Sequence, residues 1–266
     1  MTPLGVAHLT ALELPPPIFV REAARAGFTS VGFRIAPAAP GSVEYPLKNG
    51  TQAQQELRRI LQGEGVSLYD VEFVPLTPEV DVLSYAALLE AAADLGAVSL
   101  NVSGDDPDFA RLTHNFAAMC DLAGSFGLRV DLEFMRWRFC ANLHDAVRLL
   151  SEARKPNSAM LLDCLHLNRS GGRPAELRGV PAGFIRAAQL CDASFHLPAT
   201  EAEVIAEARE GRLPPGEGGL PLVEMVQALP SDATFTVEVP IPTMDAPSRL
   251  ALNHKAARTM LAAAGR

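Results

Sequence analysis

Basic residues, cysteines and long apolar runs are all scarce in this 266-residue chain, and each scarcity removes a class of function. Lys and Arg total 23 against 31 Asp and Glu, a formal net charge of −8. Binding phosphates takes concentrated Lys and Arg, so this balance argues against a nucleic-acid partner. The four cysteines (Cys120, Cys140, Cys164 and Cys191) form neither a CxxC pair nor a disulfide framework, so they read as reduced thiols of a cytoplasmic protein. No run approaches the roughly 20 apolar residues of a membrane helix. The opening stretch MTPLGVAHLTALELPPP has no basic segment ahead of its apolar part and makes a poor signal peptide. No Gly-rich phosphate loop follows the first strand-like run, which argues against a doubly wound dinucleotide fold.

What is present is a core and a rhythm. Hydrophobic residues make up 48% of the chain, enough for a large globular core and too many for disorder. Strand-like runs lie near VAHL, then at SVGFRI, VSLYDVEFV, VSLNVSG, LRVDLEF, AMLLD, FIRAAQL and ATFTVEVP. Helical stretches follow most of them, for instance PPPIFVREAARAG, Val82 to Leu95 and Asp108 to Phe126. Helices are also predicted over Leu143 to Ala153, Leu220 to Leu229 and Pro247 to Ala264. Repeated βα units require parallel strands with right-handed crossovers, and eight of them close into a (β/α)8 TIM barrel, here one α/β domain over residues 1–266. Asn168 to Val180 reads as a loop with one or two turns, and Ser194 to Gly219 as the longest irregular loop, placed to cover the barrel mouth.

Side chains alternate along a barrel strand between the interior and the helices. In ATFTVEVP, Phe235, Val237 and Val239 share one face and Thr234, Thr236 and Glu238 the other. The same separation holds in the other strands, so the polar set must face inward. Arg34, Glu72, Asn101, Glu133, Asp163, Gln189 and Glu238 therefore line a polar, charged mouth, and buried charges need partners or a metal. Glu133, Asp163, Gln189 and Glu238 come from four successive strands. Three carboxylates and an amide make a hard oxygen site suited to a divalent metal ion, Mn²⁺ or Mg²⁺ ahead of Zn²⁺. The bland alternative is a structural charge network with Arg34, Arg136 and Arg169. His166, three residues past Asp163, is placed either to carry a proton or to ligate. His8 is a weaker candidate for the mouth, Trp137 a wall of the pocket, and Cys191 a small buried neighbour.

The segments DLEF (131–134), LLDCLHLNRSG (161–171), AAQLCDA (187–193), RLPPGEG (212–218) and VEVP (237–240) together resemble the xylose isomerase-like TIM barrels, the sugar phosphate isomerase/epimerase superfamily. The resemblance implies a divalent metal on Glu133, Asp163, Gln189 and Glu238, with His166 at the substrate. Many epimerases and isomerases of the family carry His where this chain has Gln189. Gln there looks like the 3-dehydroshikimate dehydratase branch, in which the matching His166 is a base and a loop arginine, Arg209 or Arg212, holds the substrate.

Three functions follow. The first expectation is an isomerase or epimerase of a sugar or related hydroxy-carbonyl compound, in which Glu133 and Glu238 exchange the proton and the metal stabilises the enediolate. The alternatives are a metal-dependent dehydratase and a non-catalytic barrel that binds a small carbohydrate or hydroxy acid. Whether the chain forms a homo-oligomer is left open.

Overall fold

The computed structural model describes residues 2–38 and 41–266. Eight parallel strands pair in chain order and the last returns to the first, closing the expected barrel. They are β1 (Leu4–Val6), β2 (Ser30–Arg34), β3 (Ser67–Leu76), β4 (Ser99–Gly104), β5 (Arg129–Leu132), β6 (Ser158–Asp163), β7 (Ile185–Leu190) and β8 (Thr234–Val237). Among the described residues ten α-helices surround it: α1 (Pro16–Ala26), α2 (Gln52–Glu64), α3 (Ala86–Asp94), α4 (Phe109–Ser125), α5 (Leu143–Ala153), α6 (Cys164–Arg169), α7 (Pro174–Leu177), α8 (Glu201–Glu210), α9 (Leu222–Ala228) and α10 (Ala246–Ala263).

The helix ends follow local chemistry. Proline occupies the first turn of α1, where its missing N–H is harmless, and Gly27 ends the helix at φ 99°, a left-handed conformation that glycine adopts without strain. Asn142 caps α5 by accepting from the Asp145 backbone N–H, and Asp108 caps α4 in the same way. The outward faces of the strands (Val31, Phe33, Val71, Leu100, Val130, Leu162, Phe235) are buried against Phe19, Leu57, Phe116, Leu149 and Leu250 of the helices in one continuous core.

One expectation needs correction. Residues 194–219 are not wholly irregular: they contain α8. Thr200 accepts from the Glu203 N–H while the Glu203 carboxylate accepts from the Thr200 N–H, a reciprocal cap that starts a helix despite its weakly patterned sequence. Asn168 to Val180 is, as expected, a loop with a single turn, α7, and it follows α6, which begins at the residue after Asp163.

Candidate metal centre

Each acid at the mouth is delivered by a strand end. Glu133 directly follows β5 and its N–H donates to Val102 O across the sheet at 2.8 Å. Asp163 closes β6 and caps α6, its Oδ1 accepting from the His166 N–H at 2.9 Å. That tight turn folds His166 back over the mouth, with Nε2 3.5 Å from Glu133 Oε1. Glu133, Asp163 and His166 each offer a donor atom within 4.8 Å of the other two, and all three are buried. Register places Gln189 beside Asp163 on one side and Thr236 on the other. Glu238 lies just beyond β8, its N–H donating to Leu190 O at 3.2 Å.

Arg212 stands among these residues. Its Nη1 donates to Asp163 Oδ2 at 2.5 Å and its Nη2 lies 2.9 Å from Glu238 Oε2, while Nε donates to Ala208 O at the end of α8. The arginines named for a structural network have other work: Arg34 pairs with Glu72 at 3.2 Å and Arg169 with Glu207 at 2.7 Å. Arg212 lines the cavity, and its guanidinium is engaged by two candidate ligands.

A divalent ion fits the residues present. Gln189 is fully buried and neither its amide oxygen nor its nitrogen has a partner, a costly arrangement unless something else coordinates it. Asp163 and Glu238 each give Arg212 one oxygen, and one guanidinium cannot balance three clustered carboxylates. Burial, aided by repulsion from Glu238 and Asp163, pushes the Glu133 carboxyl well above its usual range. Burial raises Glu238 to about 7 although Arg212 pulls the other way. At Asp163 burial is outweighed by Arg212 and His166, and the carboxyl is held below its usual value. Burial lowers His166 to about 4, so its imidazole is neutral near pH 7.

Above the acids opens a cavity of about 310 Å³ lined in part by Arg34, Glu72, Trp137, Arg138, Arg209 and Arg212. Trp137 meets the His166 ring edge-on, with centroids 5.1 Å apart, and so walls the pocket as expected. Arg209 is exposed on the rim of α8. Asn101 does not line the cavity; its Nδ2 donates to Glu133 Oε2 at 2.7 Å and orients that carboxylate. His8 is not a mouth residue either. It accepts from the Arg34 N–H at Nδ1, bonds Leu14 O through Nε2 and stacks on Phe19, which makes it a neutral core histidine.

Asp192 carries a role that the sequence did not suggest. Buried and without a cationic partner among the described residues, it accepts from the backbone N–H groups of Ala193, Gly216 and Leu220 at 2.9, 3.0 and 2.9 Å. Its own backbone exchanges two hydrogen bonds with Leu213, both 2.8 Å. The residue thus ties down the PPGEG loop and, through Leu213, the neighbouring Arg212. Gly218 is required there, since a Cβ would stand 2.4 Å from Asp192 Oδ1. The spacing of QLCDA and RLPPGEG was the available signal.

A curated 3-dehydroshikimate dehydratase of Pseudomonas putida is 30% identical over 131 residues, 48% of this chain. The chain spans only 20% of that relative's length. Solved structures of the same shape include the probable 3-DHS dehydratase of petrobactin synthesis from Bacillus anthracis, with TM-score 0.73, 15% identity and coverage of 97% of this chain and 99% of that one. D-psicose 3-epimerase of Clostridium cellulolyticum H10, solved with D-tagatose, gives TM-score 0.70, 16% identity and coverage of 98% and 97%. At these identities the likeness is one of fold. The model of the xylose isomerase-like TIM barrel family matches residues 20–262, and with the closed barrel already described, this chain belongs to that family.

Proposed function

We propose that the barrel is a divalent-metal-dependent enzyme that removes a proton from the carbon beside a carbonyl of a small anionic hydroxy-carbonyl compound and expels a β-hydroxyl as water, a dehydratase of the 3-dehydroshikimate type. Glu133, Asp163, Gln189 and Glu238 would hold the metal. When bound, the metal supplies Lewis-acid polarisation of the carbonyl and offsets the negative charge that develops there.

The observation that carries the reading is the single neutral imidazole of His166, buried beside Glu133 and lining a cavity rimmed by arginines. As the free base it accepts the carbon-bound proton at Nε2, and the C–H pair becomes the new double bond as the C–O bond breaks. The imidazolium then returns its proton to the departing hydroxyl, which leaves as water. Trp137 holds the ring from one side, and Glu133 stabilises the transient imidazolium. Arg209 supplies the exposed cation for a substrate carboxylate. A neutral sugar would have no use for that rim. The dehydratase likeness over 48% of the chain and the amide at Gln189 point the same way.

A second reading, isomerase or epimerase, draws on one observation. Glu133 and Glu238 are both buried and both pushed upward, so either could exchange a proton from its own side of the substrate. Arg212 on Glu238 weakens that reading, because it favours the ionised form and restrains the side chain. Incubation of Mn²⁺-loaded protein with 3-dehydroshikimate separates the two. Growth of an aromatic ultraviolet absorbance supports the dehydratase. Deuterium uptake from D₂O into ketoses without water loss, and no aromatic product, would replace it with the isomerase.

A further inference from the structure

Below the mouth, the barrel interior holds polar atoms that no protein atom satisfies. Asp70 Oδ1, Ser99 Oγ, Asn101 Oδ1 and Thr236 Oγ1 are all buried and without a partner. These residues are 2%, 0%, 1% and 2% exposed, respectively. All occupy inward positions of β3, β4 and β8. Register sets Asp70 beside Gly32 and Ser99, and Thr236 beside Gly5 and Gln189. A Cβ on Gly32 would stand 2.1 Å from Asp70 Oδ1, and one on Gly5 would stand 3.0 Å from the Thr236 methyl. The carboxylate and the threonine thus reach inward over two glycines, where barrels of this type usually pack bulky branched side chains.

Charge at this level is also unbalanced. Six carboxylates point into the barrel: Asp70, Glu72, Asp131, Glu133, Asp163 and Glu238. Arg34 pairs with Glu72, Arg129 with Asp131, and Arg212 with both Asp163 and Glu238. A divalent ion at the mouth would supply two further positive charges, leaving one negative charge over. Asp70 has no ion pair among the described residues, and burial, with repulsion from Glu72, Asp131 and Glu238, pushes its carboxyl well above the usual range, so a cation beside it is what would keep it ionised. A carboxylate with hydroxyl and amide oxygens is a hard, weakly charged donor set, and buried charge of this kind calls for a counter-ion.

We propose that the interior at the level of Asp70 binds one alkali cation, Na⁺ or K⁺, through Asp70, Thr236, Ser99 and the Asn101 carbonyl, distinct from the ion of the mouth. The charge of one rests on the divalent ion proposed above. Such an ion would fix the inner ends of Asn101 and Gln189, the residues that touch or adjoin Glu133 and Asp163.

The test uses the full chain. Thermal unfolding is followed in tetramethylammonium chloride exchanged stepwise for NaCl or KCl at constant ionic strength, with and without Mn²⁺. A saturable rise in Tm of several degrees is expected for the wild type. For Asp70→Asn, which removes the charge but keeps the shape, Tm should already be high in tetramethylammonium and should not respond. If that variant fails to fold, Thr236→Val is expected to weaken the cation midpoint at least tenfold. Crystals soaked in RbCl should show an anomalous peak beside Asp70. A Tm identical in all three salts, or a Rb⁺ soak with no peak at Asp70, overturns the proposal. A Mn²⁺ peak at the mouth with none at Asp70 would sink this site alone; Rb⁺ at Asp70 with no Mn²⁺ at the mouth would sink the dehydratase reading instead.

Discussion

The two ends of the barrel handle buried charge in opposite ways. At the end where the strands begin, Arg129 grips both oxygens of Asp131 at 2.6 and 2.7 Å, and also donates to Tyr69 OH, which Thr234 reaches from β8. The four members of this network satisfy one another, although Asp70 Oδ1 and Ser99 Oγ in register beside Arg129 do not share in it. At the end where the strands finish, Gln189, His166 Nδ1 and Ser103 Oγ lack partners, and only two of three clustered carboxylates share the one guanidinium of Arg212. A satisfied network stabilises the fold. An unsatisfied one lowers stability and persists where a ligand completes it. The contrast assigns stability to one end and chemistry to the other, as barrels of this class are organised.

The sharpest way to break the contrast is Glu133→Gln. It should cut kcat/KM by about 10³ or more, by removing one stabilising group at the reacting centre, and should weaken Mn²⁺ binding. Its Tm should hold or rise, because a repelled buried charge disappears. At the other end, Asp131→Ala should leave turnover unchanged but cost about 3 kcal/mol in urea unfolding, since it strands the Arg129 guanidinium. Equal losses of activity from both variants would erase the distinction.

His8 sharpens the stability side through pH. Burial lowers it to about 4 from an ordinary value near 6.5, so between those values the unfolded chain takes up a proton that the folded chain refuses. The folded-state value is depressed, so its contribution is complete above about pH 6.5 and drains away as pH falls toward 4. The loss is on the order of 3 kcal/mol. His8→Asn should flatten that part of the stability curve measured by denaturant titration, and an unchanged slope would refute the assignment.

On the chemical side, Asp192→Asn should lower kcat/KM by about 10–100-fold through a misplaced Arg212. In an Arg212→Ala background the same change should have almost no further effect. The smallest expected effect is that of Arg209→Ala, a rise of about tenfold in KM for an anionic substrate with kcat nearly constant.

Much of this was readable from the chain because barrel strands are buried on both faces. Their period-two separation of Val, Leu and Phe from Glu, Asp and Gln named both the fold and the inward set. Glu133, Asp163, Gln189 and Glu238 follow from that parity and from strand ends. What escaped depends on distant backbone. Asp192 matters because residues 24 and 28 positions further on turn their N–H groups toward it, and local pattern carries no trace of that. Arg212 meets Asp163 across 49 residues, so its engagement with the ligands could not be separated from a substrate role. His8 looked like a mouth residue because it follows β1, yet a 3-10 turn over His8–Ala11 carries it into the core. Helix α8 was hidden by low amphipathicity, although its T-x-x-E cap was in plain sight.

Glu133, Asp163, Gln189 and Glu238 are proposed to complete one another around a divalent ion. Diffraction at the manganese edge from crystals grown with Mn²⁺ tests this most directly. One anomalous peak per chain is expected, bounded by those four side chains and lost in crystals of Glu133→Gln. A saturated crystal with no peak there, and with Arg212 still bridging Asp163 and Glu238 beside an uncoordinated Gln189, would contradict it.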